Sequence, residues 1–290
     1  MYKQMLVVVD GSIPSDYALT KAIYLANRYD AALLIGHVVD TRGLPGTSGF
    51  YYQTLKDEIQ TEAEELLETS RKKAESLGLN DVQTVIRSGN PRAKIPKALV
   101  SDYDVDLLIV GGSGKNGGER MLIGSVAEAS MRRAPCDVLT VKTETDANLY
   151  QNILLAVDGS AQAEHALTKA IQFANSNAST LTNAHVIEEG NLMTDMAFHP
   201  QNYETEAQKN AEQMLQNYKQ QAEEKGIKNV QNVTRIGNPR VDVPQALTVK
   251  HEIDLLITAA TGRNAVEKIF TGSVAEASVH RAPCDVLTVK

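Results

Sequence analysis

Tryptophan is absent from this 290-residue chain, phenylalanine occurs only four times, and Cys136 and Cys284 are the only cysteines. Two thiols in no metal-ligand spacing cannot make a disulfide scaffold, which suits a reducing, cytoplasmic setting. Long hydrophobic runs are also lacking. The first ten residues hold one short apolar run around Met5 to Val9, and nothing reaches the roughly 18 apolar residues of a membrane span. The expectation is a chain with neither secretion signal nor anchor. Basic charge is in deficit: 29 Lys and Arg against 36 Asp and Glu give a net charge of −7, with no basic cluster along the sequence. A nucleic-acid partner would have to bind against that field and is not expected. What is present is aliphatic. Hydrophobic residues make up 42% of the chain, and its 19 Gly and 9 Pro show no low-complexity bias, so disorder and fibre are excluded. The length favours two domains.

An internal repeat organises the chain. Asp10-Gly11-Ser12 recurs as Asp158-Gly159-Ser160, Gly124 to Ser130 recurs unchanged as Gly272 to Ser278, and Arg133 to Lys142 recurs as Arg281 to Lys290, all at an offset of 148 residues. Self-similarity at a constant offset means one supersecondary plan used twice. Residues 1–142 and 151–290 are therefore read as two copies of one domain, joined by a polar linker over 143–150.

Within one copy, aliphatic runs alternate with helical periodicity. Leu6 to Val9, Ala32 to Val39, Val82 to Ile86, Val105 to Val110 and Val138 to Val141 read as strands. Leu19, Ala22, Ile23 and Ala26 mark a first helix, and Ile59 to Leu77, closed by Gly78, a second. Ala98 and Leu99 belong to a third helix, and Val126 to Arg132 form a fourth. Strands aliphatic throughout, alternating with helices, predict a doubly wound, mainly parallel five-stranded sheet in each copy. Pro96, matched by Pro244, is expected to follow a single turn opened by Pro91, with regular helix only from about Pro96.

In an open α/β sheet, ligands bind outside the carboxyl ends of the strands where the strand order reverses. Two loops there carry suitable chemistry. In Asp10-Gly11-Ser12, a carboxylate could accept from a ribose hydroxyl or an adenine amine; equally, Ser12 could cap the next helix while Asp10 bonds backbone amides. The second loop, Gly111-Gly112-Ser113-Gly114-Lys115-Asn116-Gly117-Gly118, runs on to Gly124-Ser125 at a helix start. Glycines let a backbone approach a ligand, and N–H groups at a helix start make a phosphate cradle to which Lys115 adds charge. It is neither a P-loop nor a dinucleotide fingerprint. Ser125 and Glu128 are spaced as a capping box, compatible with that cradle.

The spacing G-x2-G-x9-G-S, from Gly111 through Gly114 to Gly124-Ser125, resembles the nucleotide-binding motif of the universal stress protein family. Asp10-Gly11-Ser12, His37-Val38 and the run Gly124 to Glu128 leading to Arg133-Ala134-Pro135-Cys136 resemble that family too. The resemblance covers both copies. It implies two tandem Rossmann-like domains forming an internal pseudo-dimer through their last strands, with a homodimer as a further option. It also implies a role as an ATP-binding stress-response protein in the cytoplasm, with Mg2+ or Mn2+ accompanying the phosphates. By matching position, Asp10 and Val38 would hold adenine or ribose, Gly111 the ribose side, and Gly114, Gly124, Ser125 and Val126 the phosphates. In the second copy Asp158, Val186, Gly262, Gly272, Ser273 and Val274 match, Arg263 replaces Lys115, and Ala259 stands where the first glycine would be. That methyl group is expected to weaken the second site.

Rapid catalysis is not expected, because no general base, positioned water or acceptor is identifiable. The alternatives are a slow ATPase or autokinase, and a nucleotide-free adaptor acting through protein contacts. His37 and His185 read as packed, hydrogen-bonded histidines rather than catalytic ones, and Cys136 and Cys284 as small hydrophobes entering a strand. The loops Thr41 to Asp57 and Glu189 to Tyr203, with Phe50, Tyr51, Tyr52, Phe198, His199 and Tyr203, read as surface loops or as lids.

Overall fold

A computed structural model describes residues 1–42, 50–112, 123–144, 149–188, 203–260 and 272–290, with the backbone alone for 50–53 and 203–205. The chain divides into two units, Met1–Ala147 and Asn148–Lys290. In the first, β1 (Gln4–Val8) leads to α1 (Ile13–Tyr29), β2 (Ala32–Asp40), α2 (Phe50–Ser76) and β3 (Val82–Gly89). A compound helical stretch follows: α3 (Pro91–Ala93), a π-helical segment π1 (Lys94–Leu99) and α4 (Val100–Asp102). Then come β4 (Leu107–Gly111), α5 (Ser125–Arg133) and β5 (Asp137–Val141). The strands pair in the order β3-β2-β1-β4-β5, all parallel, so the order reverses between β1 and β4.

The second unit repeats this plan. It comprises β6 (Asn152–Ala156), α6 (Ala161–Asn177), β7 (Thr180–Glu188), α7 (Tyr203–Glu224), β8 (Val230–Gly237), α8 (Pro239–Val241), π2 (Asp242–Leu247), α9 (Thr248–Lys250), β9 (Leu255–Ala259), α10 (Ser273–Arg281) and β10 (Asp285–Val289). Its sheet runs β8-β7-β6-β9-β10, again parallel. Leu149 and Tyr150, read from the sequence as the end of a linker, are both buried.

Strand alternation explains how each sheet is covered on two faces. In the first unit Leu6, Val8, Leu34 and Val38 pack with Ile95, Leu99 and Ala127 from π1 and α5. The opposite residues, Met5, Val7, Leu33 and Ile35, are equally buried, and α1 and α2 pack on that side. Buried carboxylates fix the strand ends: Asp137 accepts from Tyr2 Oη at 2.7 Å, and Asp285 from Tyr150 Oη at 2.9 Å. Asp106 and Asp254 take the backbone N–H groups at the starts of β1 and β6.

Two expectations are corrected. Pro96 does not delay the helix; it lies inside π1, as Pro244 lies inside π2. Proline lacks the N–H of an i→i−4 bond and clashes with that carbonyl, and the wider π turn moves the carbonyl away, so the helix continues. The span Thr41 to Asp57 is not all loop. α2 begins at Phe50, placing Tyr51 and Tyr52 in its first turn, and Tyr203 likewise opens α7. Phe198 and His199 lie outside the described residues. No helix among those described is long and apolar enough to cross a membrane.

Candidate functional site

Four groups of motif residues meet at the carboxyl end of the first sheet. Asp10 follows β1, Val38 lies near the end of β2, Gly111 ends β4, and Gly124 to Val126 open α5. Gly114 and Lys115 fall in 113–122, outside the described residues. The exit of β1 is tightly determined. Val9 N–H donates to the Gly36 carbonyl at 3.0 Å, and His37 Nδ1–H donates to the Val9 carbonyl at 2.7 Å. This is the packed histidine expected, and it couples β2 to the turn that carries Asp10. Asp10 Oδ1 accepts from the N–H of Ser12 at 2.9 Å and its hydroxyl at 2.5 Å. Ser12 Oγ accepts from Ser15 N–H at 3.3 Å, sealing the start of α1. The capping reading of this loop therefore holds. It engages one carboxylate oxygen of an otherwise exposed Asp10.

The start of α5 contrasts with that sealed end. The predicted Ser-x-x-Glu capping box is not formed, because the N-cap is Gly124, with extended φ −65° and ψ 142°, and no side chain caps the helix. Ser125 is already inside the helix, its side chain exposed, and Glu128 reaches Arg132 at 3.5 Å instead. The box fails by one residue: its serine must precede the first helical residue. The Gly124 N–H is consumed by the Gly112 carbonyl at 2.7 Å, and Gly112 N–H by Val141 at 2.7 Å, tying the helix start to the end of the sheet. What stays uncapped is the set of first-turn amides that follow, at the same end of the sheet as Asp10 and at the positive end of the helix dipole.

A Cβ added to Gly111 would lie 2.7 Å from both the carbonyl carbon and the oxygen of Pro14, and 3.0 Å from Ser15 N. The missing side chain therefore faces the first turn of α1, and glycine here lets that turn settle on the end of β4. The sequence left two ways for the methyl group of Ala259 to act, by touching a sugar or by restricting the turn, and this geometry supports the second. One signal was available in the repeat: where Gly111 becomes Ala259, Pro14 becomes Gln162.

The second unit reproduces the frame. Asp158 Oδ1 accepts from Ser160 N–H at 3.0 Å, Ser160 Oγ caps Ala163 N–H at 3.2 Å, and His185 Nδ1–H donates to the Val157 carbonyl at 2.7 Å. Val186 lies near the end of β7, and Gly272 is the N-cap ahead of Ser273 and Val274, without a side-chain cap. Ala260 N–H donates to Val289 at 2.7 Å, and Gly272 N–H to the Ala260 carbonyl. Gly262 and Arg263 lie outside the described residues. Both cysteines are buried, and burial together with the Asp137 charge pushes the Cys136 thiol up to about 12, so it is not a thiolate at neutral pH. No group of three His, Cys, Asp or Glu side chains able to hold a metal occurs among the described residues.

A doubly wound sheet whose switch point carries an acidic turn, a glycine pair and an uncapped helix defines a Rossmann-like class of fold. The model of the universal stress protein family matches residues 1–142 and again 149–290. The chain belongs to that family, as a tandem pair. A Staphylococcus haemolyticus protein named "Putative universal stress protein" is 41% identical over 143 residues, covering 49% of this chain and 86% of its own length. One from Staphylococcus saprophyticus is 39% identical over 143 residues, at 49% and 85% coverage. Among solved structures, a universal stress protein of Archaeoglobus fulgidus shares the fold over 99% of this chain and 98% of its own, with a TM-score of 0.73 and 22% identity.

Proposed function

We propose that this universal stress protein binds ATP at the carboxyl end of the first sheet, and in weaker form at the equivalent place in the second unit. The observation that carries the reading is the uncapped start of α5, tied through Gly112 and Gly124 to the end of the sheet and set in the G-x2-G-x9-G-S spacing. A phosphate there would be met by backbone N–H groups and the helix dipole. Asp10 and the backbone at Val38 would hold adenine and ribose, and Gly114 and Lys115 would complete the phosphate cradle. With no carboxylate cluster at hand among the described residues, Mg2+ or Mn2+ would be held chiefly by the phosphates themselves. Binding rather than turnover is the proposed role, in the cytoplasm.

Calorimetric titration with ATP and Mg2+ tests this, with the Gly124→Asp variant as its control. The expected result is saturable binding to the natural chain and loss of the stronger site in the variant, since a carboxylate would occupy the cradle and repel the phosphates. Stronger-site binding that survives the substitution would place the nucleotide elsewhere. ADP formation faster than in Gly124→Asp would favour the ATPase reading.

The pseudo-dimer is part of the same proposal. Within each unit the last strand, β5 or β10, lies at the edge of its own sheet. An unpaired aliphatic edge invites aggregation, and pairing two identical edges about a twofold axis removes both. Lysine or aspartate at alternate positions of β10 should expose the other edge and cause concentration-dependent association, read by sedimentation velocity.

A further inference from the structure

The sequence shows no basic cluster, but the fold of the first unit assembles one. α5 packs against both α3 and π1. This sets the last turn of α5, with Arg132 and Arg133, beside the helical stretch that carries Arg92, Lys94 and Lys97, the stem of Lys94 lying over Gly89. The second unit shows how near the two helix ends come: Arg281, equivalent to Arg133, donates through Nη1 to the carbonyl of Arg240, equivalent to Arg92, at 3.2 Å. All five cations of the first unit are exposed. Among the described residues, Glu128 pairs with Arg132 at 3.5 Å. Arg92, Lys94, Lys97 and Arg133 form no ion pair with another described residue. Beside them Asp102 already faces Arg87, at 3.8 Å.

The equivalent face of the second unit is neutralised. Lys94 becomes Asp242, whose carboxylate is buried against Arg235 Nε at 2.7 Å and Asn238 N–H at 2.7 Å. Lys97 becomes Gln245 and Arg132 becomes His280. A repeat that keeps Gly124 to Ser130 and Arg133 to Lys142 letter for letter differs here in charge between its two copies.

We propose that the face formed by Arg92, Lys94, Lys97, Arg132 and Arg133 is a docking surface for a short acidic peptide segment of a partner protein. Charge complementarity sets the sign of the partner, and the rest of the chain limits its size. A chain of net charge −7 that concentrates five cations in one patch is more strongly negative everywhere else. Beyond a Debye length of about 8 Å a long polyanion gains nothing from the patch and meets repulsion around it. The described helices of the patch, α3, π1 and α5, carry no aromatic side chain as a platform for bases, and the Tyr103 ring that follows α4 lies against the Arg87 guanidinium at 5.7 Å. A segment of a few carboxylates fits the patch without crossing its border.

The test is fluorescence anisotropy of labelled octaglutamate with the full chain at low ionic strength, alongside labelled oligo-dT of twelve nucleotides. The expected result is saturable octaglutamate binding, weakened about tenfold by Arg92→Glu with Arg133→Glu, which is about 1.4 kcal/mol. Lys94→Asp, which copies the second unit, should weaken it in the same direction. Arg240→Glu should leave it unchanged, and the thermal midpoints of all variants should match the parent. No saturable binding, binding indifferent to the first-unit reversals, or tighter binding of oligo-dT would overturn the proposal. So would salt-reversible self-association of the chain alone that the same reversals abolish, because the surface would then belong to a second copy.

Discussion

Gly111 shows how much one hydrogen atom can decide. Its φ is not in the left-handed region, so no backbone rule demands glycine there; the close approach of the Pro14 carbonyl does, at 2.7 Å from a would-be Cβ. Gly111→Ala should therefore force the first turn of α1 off the end of β4 and cost about 1 to 3 kcal/mol, the usual penalty of overpacking. Urea unfolding of the variant checks this, and an unchanged midpoint would mean the turn yields freely. Cys136 is a second residue with a defined consequence. Burial and the Asp137 carboxylate raise its thiol from 9.0 to about 12, so the folded state holds that proton more tightly than the unfolded state. The sign follows from linkage: stability is complete below about pH 9 and declines as pH climbs toward 12. Tyr2, raised well above 10 by burial and then by Asp137, acts in the same direction at still higher pH. Cys136→Ala should flatten the fall in urea midpoint between pH 8.5 and 11; an unaltered slope would assign the alkaline loss to other groups.

At the scale of elements, the helix starts separate what the sequence discloses from what it hides. Ser12 and Ser160 cap α1 and α6 as their loops suggest, because a serine directly before an apolar period has one strong use. Ser125 has the Ser-x-x-Glu spacing of a capping box, yet stands one residue too far inside α5, and no pattern of letters fixes a helix boundary to one residue. The β-α order and the parallel sheets were legible because each strand is aliphatic throughout. The π segments were not, because proline at position 96 announces only that an α turn is impossible. The order of strands in space also came from the resemblance and the fold, not from periodicity. The open start of α5 yields a prediction about stability. Aspartate is among the best N-caps, and Gly124 already has the extended backbone of a cap, so Gly124→Asp should leave the thermal midpoint unchanged or raise it slightly, a gain in stability of about a few tenths of a kcal/mol. A substitution that removes ATP while keeping or improving the fold would separate the site from the scaffold; a large drop in midpoint would contradict this account of the helix start.

At the scale of the whole molecule, the informative positions are those where the two copies differ. The Tyr–Asp pairs, the capped turns, the histidines on the strand exits and the proline-bearing π segments are duplicated at the offset of 148 residues. Three of the differences lie near the candidate sites: Gly111 and Gly112 become Ala259 and Ala260, and Pro14 becomes Gln162. In the first unit a Cβ at Gly111 has no room beside Pro14, and one at Gly112 would lie 2.8 Å from the Lys142 side chain. The second unit carries both methyl groups, so the first turn of α6 is expected to stand further from the end of β9 than α1 does from β4. That turn holds Asp158 through Ser160, and its distance from the start of α10 is the distance a nucleotide would bridge. The two sites are therefore expected to be unequal through the position of a helix, not through contact with a sugar. A misfit of about 1 to 3 kcal/mol would separate the affinities by roughly 5-fold to 150-fold. Titration of the intact chain with ATP should resolve one stronger and one weaker site, and Ala259→Gly should bring the weaker site closer to the stronger. Two sites of equal affinity in the unmodified chain, or a weaker site indifferent to Ala259→Gly, would show that the helix shift does not reach the ligand.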